Sequence, residues 1–81
     1  MNPQEISRLI EAGLDGATAT VVSDDNTHFE ALVVSSAFDG KRPLARHQLV
    51  YGTLGTLVGN EIHALSIRAL TPEEHAAATT A

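Results

Sequence analysis

The sequence predicts a two-layer α+β fold in which a three-stranded sheet carries helices on one face, in the order α-β-β-α-β-α. Two segments place apolar residues at the three- and four-residue spacing of an amphipathic helix. Three other segments are short β-rich or alternating runs, bounded by turn residues. Because the 81 residues contain no repeat and no low-complexity linker, we expect a single domain over residues 1–81.

The first helix is predicted to begin at Pro3, because proline is favoured at the first helical position. Gly13 and Gly16 are expected to end it. Its apolar positions are Ile6, Leu9, Ile10 and Leu14. This spacing predicts one helix face turned toward the core.

A β-hairpin is predicted next. Residues 17–23 and 29–35 are rich in β-branched and apolar residues, and the triplet Asp24-Asp25-Asn26 separates them. Short polar side chains of this kind bond to the local backbone in turns. The two runs are therefore expected to pair as antiparallel strands.

A longer helix is predicted from Pro43 to about Val58, with Gly59 as its left-handed cap. Gly52 and Gly55 lie inside this predicted helix, and we interpret them as close-packing positions, since each costs about 1 kcal/mol relative to alanine. One broad apolar face is formed by Leu44, His47, Val50, Tyr51, Leu54, Leu57 and Val58.

The third strand is predicted at residues 62–69, with His63, Leu65 and Ile67 on its apolar face. Thr71 and Pro72, followed by two acids, are typical of a helix start. Residues 76–81 are predicted to be a frayed C-terminal tail.

Composition excludes several kinds of chemistry. With no cysteine, the chain offers no disulfide, thiolate nucleophile or thiolate metal ligand. It has no Gly-x-Ser-x-Gly turn and no serine near a recognisable base and acid, so we expect no enzymatic activity. No apolar run approaches the ~18 residues of a membrane span, and the polar N-terminus does not resemble a secretory signal. A cytoplasmic protein without a membrane partner is expected.

The four histidines are the remaining candidates for metal chemistry. His63 lies at the start of the third strand, His47 on the long helix, His28 just before Phe29 and His75 in the last helix. No two of them have the i, i+4 spacing of a helical metal site. On the residues alone, an imidazole at the rim of a core is more often structural than a ligand.

A basic spot interrupts an otherwise acidic chain of net charge −5. Lys41, Arg42 and Arg46 fall within six positions, beside His47. These four residues are candidates for binding an anion or an acidic partner surface, and a solvated helix start explains the same charges equally well.

Several motifs together resemble the BolA family. They cover more than half of the chain, in the family's order. The motifs are Phe38-Asp39-Gly40-Lys41, Leu44-Ala45-Arg46-His47-Gln48-Leu49-Val50-Tyr51, Ile62-His63-Ala64-Leu65-Ser66-Ile67 and Leu70-Thr71-Pro72-Glu73-Glu74. The hairpin residues Thr27-His28-Phe29 also fit.

The resemblance implies a fold like a class II KH domain and a monothiol glutaredoxin as partner. In such pairs the glutaredoxin cysteine and a glutathione hold one side of a [2Fe–2S] cluster, and the BolA-like chain supplies histidine to the other side. The family histidine corresponds to His63. No cluster is expected on the free chain, which we expect to be a monomer or a weak homodimer.

The resemblance leaves two matters open. Some family members carry a second ligand, cysteine or histidine, in the loop between the first two strands. Here the loop 24–27 has neither, and His28 is the only nearby candidate.

Other family members are described as DNA-binding transcriptional regulators of stress or cell shape. Lys41, Arg42 and Arg46 could serve that alternative, although a net charge of −5 opposes it.

Overall fold

The predicted order of helices and strands is confirmed. The structure, a computed structural model, describes residues 1–79, and that part of the chain contains three helices and three strands. The helices are α1 (Pro3–Gly13), α2 (Pro43–Leu54) and α3 (Pro72–Thr79). The strands are β1 (Thr18–Val22), β2 (His28–Val34) and β3 (Ala64–Leu70). Single 3₁₀ turns lie at Ser36–Phe38 and Gly55–Leu57.

The three strands form one mixed sheet in the order β1-β2-β3. β1 pairs antiparallel with β2, and Val22 lies opposite Glu30. β2 pairs parallel with β3, and Glu30 lies opposite Ser66. A parallel pair needs a long crossover, which the segment containing α2 supplies. The α+β class is therefore confirmed.

The core lies between the sheet and helices α1 and α2. Strand residues alternate between buried and more exposed positions in both β1 and β2. The buried apolar side chains are Ile6, Ile10, Leu14, Ala19, Val21, Phe29, Ala31, Val33, Phe38, Val50, Leu54 and Ile62. The more exposed strand residues of β1 and β2 lie on the opposite face of the sheet.

Helix α1 is fixed at both ends by side chains. Asn2 accepts a hydrogen bond from the Glu5 backbone N–H, and the Glu5 carboxylate accepts one from the Asn2 N–H, which is a capping box. The Glu11 carboxylate accepts a hydrogen bond from the Ala19 N–H on β1, at 2.9 Å. Leu9, predicted on the apolar face, is 37% exposed, so Ile6 and Ile10 supply most of the contact.

Helix α2 is shorter than predicted. It ends at Leu54, and Gly55 caps it with a φ of 57°, a conformation that glycine adopts easily. The prediction that Gly52 and Gly55 are close-packing positions is wrong, because a Cβ at either would meet nothing within 4 Å. The close approach is at Gly13, where a Cβ would lie 2.6 Å from the Thr53 Cγ2.

The predicted apolar face of α2 is also partly wrong. Val50 and Leu54 are buried, but Leu44 is 71% exposed and Tyr51 39% exposed. The Tyr51 hydroxyl donates a hydrogen bond to the Leu65 carbonyl. The inward face of the helix is therefore narrower than the spacing indicates.

The C-terminal part of the chain differs from the prediction in two respects. β3 begins at Ala64, so Ile62 and His63 precede it. Residues 76–79, which the prediction placed in a C-terminal tail, are helical as part of α3, and residues 80 and 81 lie outside the described residues. No helix within residues 1–79 has the length and apolar character needed to cross a membrane.

Candidate metal-binding histidine pair

The loop between β1 and β2 is held by short polar side chains. The Asp25 Oδ1 accepts hydrogen bonds from the Thr27 and His28 N–H groups, at 3.0 and 2.9 Å. The Ser23 hydroxyl donates to the His28 carbonyl at 2.6 Å and accepts from the Asn26 N–H. Asn26 takes a positive φ of 58°, which asparagine tolerates. These bonds fix where β2 begins.

The His28 ring is oriented by the same loop. Its Nδ1 lies 2.9 Å from the Asp25 Oδ2 and 3.1 Å from the Thr27 hydroxyl. A carboxylate next to Nδ1 favours the proton on that nitrogen, which leaves the Nε2 lone pair for a ligand role. The His28 N–H, the His28 ring and the Thr27 N–H together hold the pKa of Asp25 far below its ordinary value.

His63 is brought beside His28 by one backbone oxygen. The Thr27 carbonyl accepts hydrogen bonds from the N–H groups of both His63 and Ala64, each at 3.1 Å. On the other side of His63, Ile62 is fully buried and its N–H donates to the Leu57 carbonyl. The backbone is thus anchored on both sides of His63.

The two imidazoles are in edge contact. Their ring centroids lie 5.3 Å apart, and the ring planes meet at 80°. Both histidines are exposed. The structure therefore joins the two predicted metal candidates, which are 35 positions apart in the sequence, into one solvent-facing pair.

The placement of His63 corrects the prediction from alternation. His63 was expected on the apolar face of the third strand, beside Leu65 and Ile67. It precedes β3 and is exposed, because the turn ending at Ile62 buries Ile62 in its place. His28, at the start of β2, is exposed as well.

The pair offers two of the ligands that a metal site needs. Within residues 1–79, no group of three or more His, Cys, Asp or Glu side chains is arranged to hold a metal ion. Two neighbouring imidazoles fit one half of a four-ligand [2Fe–2S] site, in which histidine can replace cysteine on one iron. The donor set therefore fits a cluster whose other ligands come from elsewhere.

The predicted basic spot is divided by the structure. Lys41 and Arg42 are exposed just before α2, and His47 is half-buried on that helix. The Arg46 side chain is only 13% exposed, and its Nη1 donates to the Glu74 carboxylate at 2.6 Å. Arg46 also donates to the carbonyls of Lys41 and Ala69. It fastens α3 to α2, so it is not free to bind an anion.

Sequence reasoning missed two residues of this region. Asp25 orients His28, and an acid three positions before a histidine in a polar turn is the signal that could have revealed it. Thr27 acts through its backbone carbonyl, for which the sequence offers no signal.

A shallow depression beside the histidine pair is lined by Ser23, Asp24, Asp25, Glu30 and Ser66, among others.

Comparison with known proteins identifies the family. The family model described as BolA-like protein matches residues 8–74. The chain belongs to the BolA-like family. The structure resembles that of a BolA protein homologue from Coxiella burnetii, with a TM-score of 0.85, 38% identity and coverage of 94% of this chain and 97% of that one. The resemblance seen in the sequence motifs is thus confirmed.

Three curated relatives of this BolA-like chain carry different names. A protein from Acinetobacter guillouiae, named for the rpoN-murA intergenic region, is 36% identical over 91% of this chain and 89% of its own length. Human BolA-like protein 1 is 50% identical over 59% of this chain and 35% of its own. The DNA-binding transcriptional regulator BolA of Vibrio cholerae is 50% identical over 59% of this chain and 45% of its own. The chain thus spans less than half of the last two relatives.

The pair between Arg46 and Glu74 predicts a pH dependence of stability. The Arg46 guanidinium, helped by the Thr71 N–H, lowers the pKa of Glu74 from 4.5 to about 2. Because the folded pKa is the lower one, the stabilisation is present above pH 4.5 and is lost as the pH falls toward about 2. Glu74→Gln should therefore unfold at lower urea concentration than the wild type at pH 7. The difference between the two urea midpoints should shrink as the pH falls from 4.5 to about 2.

Glu73→Gln is the matched control, since Glu73 is an exposed neighbour in the same helical turn. It should follow the wild type across the pH series. A difference between Glu74→Gln and the wild type that stays constant with pH would contradict the assigned role of Glu74.

Proposed function

We propose that this BolA-like chain is a non-enzymatic partner of a monothiol glutaredoxin and shares a [2Fe–2S] cluster with it. The single observation that carries the proposal is the contact between the His28 and His63 rings, 5.3 Å apart by centroids, on a chain without cysteine. The cluster would be used in iron–sulfur assembly, trafficking or iron sensing. We expect the free chain to hold none.

The residues of this chain have separate roles in the proposal. His63 and His28 bind iron through ring nitrogens, and Asp25 keeps the proton of His28 on Nδ1. The Thr27 carbonyl holds the two histidine backbones next to each other. The partner's cysteine and a glutathione supply the thiolates that this chain lacks. A [2Fe–2S] cluster supplies electron-transfer and iron–sulfur carrier chemistry, and histidine ligation raises its reduction potential.

Co-expression with a monothiol glutaredoxin, followed by anaerobic purification, tests the proposal. The wild type should give a coloured heterocomplex whose visible spectrum differs from that of the glutaredoxin homodimer. His63→Ala should lose that distinct spectrum, and His28→Ala should change it, because each variant removes one imidazole ligand.

His75→Ala is the matched control, because His75 lies on α3, in a different element from the pair. Its heterocomplex should keep the wild-type spectrum. An unchanged spectrum in His63→Ala, with circular dichroism showing a folded chain, would exclude His63 as a ligand.

A DNA-binding regulator is the second candidate function. Two observations favour it: Lys41 and Arg42 are exposed, and the Vibrio cholerae relative carries that name. Two others oppose it. The net charge is −5, which repels a phosphate backbone, and Arg46 is bound to Glu74. We therefore place this function second.

Mobility shifts on duplex DNA at several salt concentrations test the second candidate. If Lys41 and Arg42 contact phosphates, the K41E/R42E variant should bind less tightly, and the salt slope should fall by about 2. Arg8→Glu, an exposed arginine on α1, is the charge control. Equal losses in the control and in K41E/R42E would rule out a specific contact through these two residues.

A further inference from the structure

The sheet face opposite α1 and α2 is uncovered in the described chain. Two rows of residues cross its three strands in register. They are Thr20–Leu32–Arg68 and Val22–Glu30–Ser66. Five of the six are exposed, Leu32 is half-buried, and the apolar Val22 keeps 54% exposure. The face is shallow, with an apolar middle and few charges.

The two charges on this face have opposite signs. Glu30 on β2 and Arg68 on β3 are diagonal neighbours in the parallel pair, and the strand spacing and the rise of two residues place their Cα atoms about 8 Å apart. Within residues 1–79, the ion pairs are those between Asp25 and His28 and between Arg46 and Glu74. Glu30 and Arg68 are thus exposed on one face without an ion pair.

This arrangement is complementary to itself. Glu30 and Arg68 mark one diagonal of a four-residue rectangle, and Leu32 and Ser66 mark the other. Consider two copies whose sheets face each other, related by a two-fold axis that runs between the sheets along the Leu32–Ser66 diagonal. This rotation brings Glu30 of one copy close to Arg68 of the partner subunit. Each Glu30 then faces Arg68 of the partner subunit, and the two copies of Leu32 meet near the axis. Facing sheets pack about 10 Å apart, a distance that side chains of this length span.

We propose that this open sheet face binds a second copy of this chain. The interface is isologous, with Leu32 at the centre and two Glu30–Arg68 ion pairs around it. A nucleic acid does not fit, because the two rows carry one cation beside one acid. The proposal does not rest on the iron–sulfur role, since neither histidine belongs to these two rows.

The association is weak. Three short strands bury less than the ~1,200 Å² of a stable interface, so self-association is expected only at high concentration. Sedimentation equilibrium of the full chain, up to millimolar concentration, should therefore show a monomer–dimer equilibrium. In parallel NMR spectra, the amide signals of Leu32 and its row should shift with concentration, while those of α1 should not.

Charge reversal tests the geometry. The E30K substitution places a second cation opposite Arg68 of the partner subunit, and R68E places two acids opposite each other. Each change should raise the dimer dissociation constant at least about tenfold, because like charges repel across an interface. Glu73→Lys, an equal charge change on α3, should leave dimerisation unaltered.

A mixture of the two variants gives the most specific result. When E30K and R68E are combined, both facing pairs become attractive, so a heterodimer should form although neither variant associates alone. If either variant fails to fold by circular dichroism, E30Q and R68Q replace it, and each should weaken the wild-type dimer.

Three outcomes would overturn the proposal. They are a wild type that stays monomeric at millimolar concentration, an E30K or E30Q chain that dimerises like the wild type, and an E30K–R68E mixture without heterodimers. A wild type that stays monomeric would mean that the open sheet face contacts solvent or a different protein. The second would place the dimer contact on another surface.

Discussion

The parallel pairing of β2 with β3 is the contact on which the rest of the structure depends. It begins at the Thr27 carbonyl, which accepts hydrogen bonds from the N–H groups of both His63 and Ala64. A parallel pair requires the chain to cross over the sheet, and α2 does so while covering the core. The same pairing sets His63 beside His28 and Arg68 diagonal to Glu30. The histidine pair and the charged sheet face both follow from this one register.

Much of the fold could be predicted because local patterns agree with it. The hairpin follows from two β-rich runs around a polar turn, and α1 from the spacing of Ile6 and Ile10. The end of α2 could not be placed, because the apolar spacing continues past Gly55 into residues that form a separate 3₁₀ turn. Leu44 fits the helical spacing equally well, but it lies in the first turn of α2 and is 71% exposed, a property set by tertiary packing that the spacing does not show.

The site was predictable as a set of residue types and not as a geometry. The family motifs identified His63, and His28 was the nearest candidate for a second ligand. Their contact depends on strand register and on the backbone oxygen of Thr27, neither of which has a side-chain signature. For Arg46 the sequence indicated a binding role that the fold does not support, because its positive charge predicted contact with an anion from outside the chain. The distant Glu74 binds it, and only the folded chain brings the two together.

The central claim is that the His28–His63 pair acts as half of a shared cluster site. Pulsed electron paramagnetic resonance of the reduced heterocomplex tests this most directly when only this chain carries nitrogen-15 histidine. The account predicts couplings from two histidine nitrogens to the cluster spin, one of which is lost in His63→Ala and the other in His28→Ala. A heterocomplex whose cluster shows no histidine nitrogen coupling from this chain would contradict it.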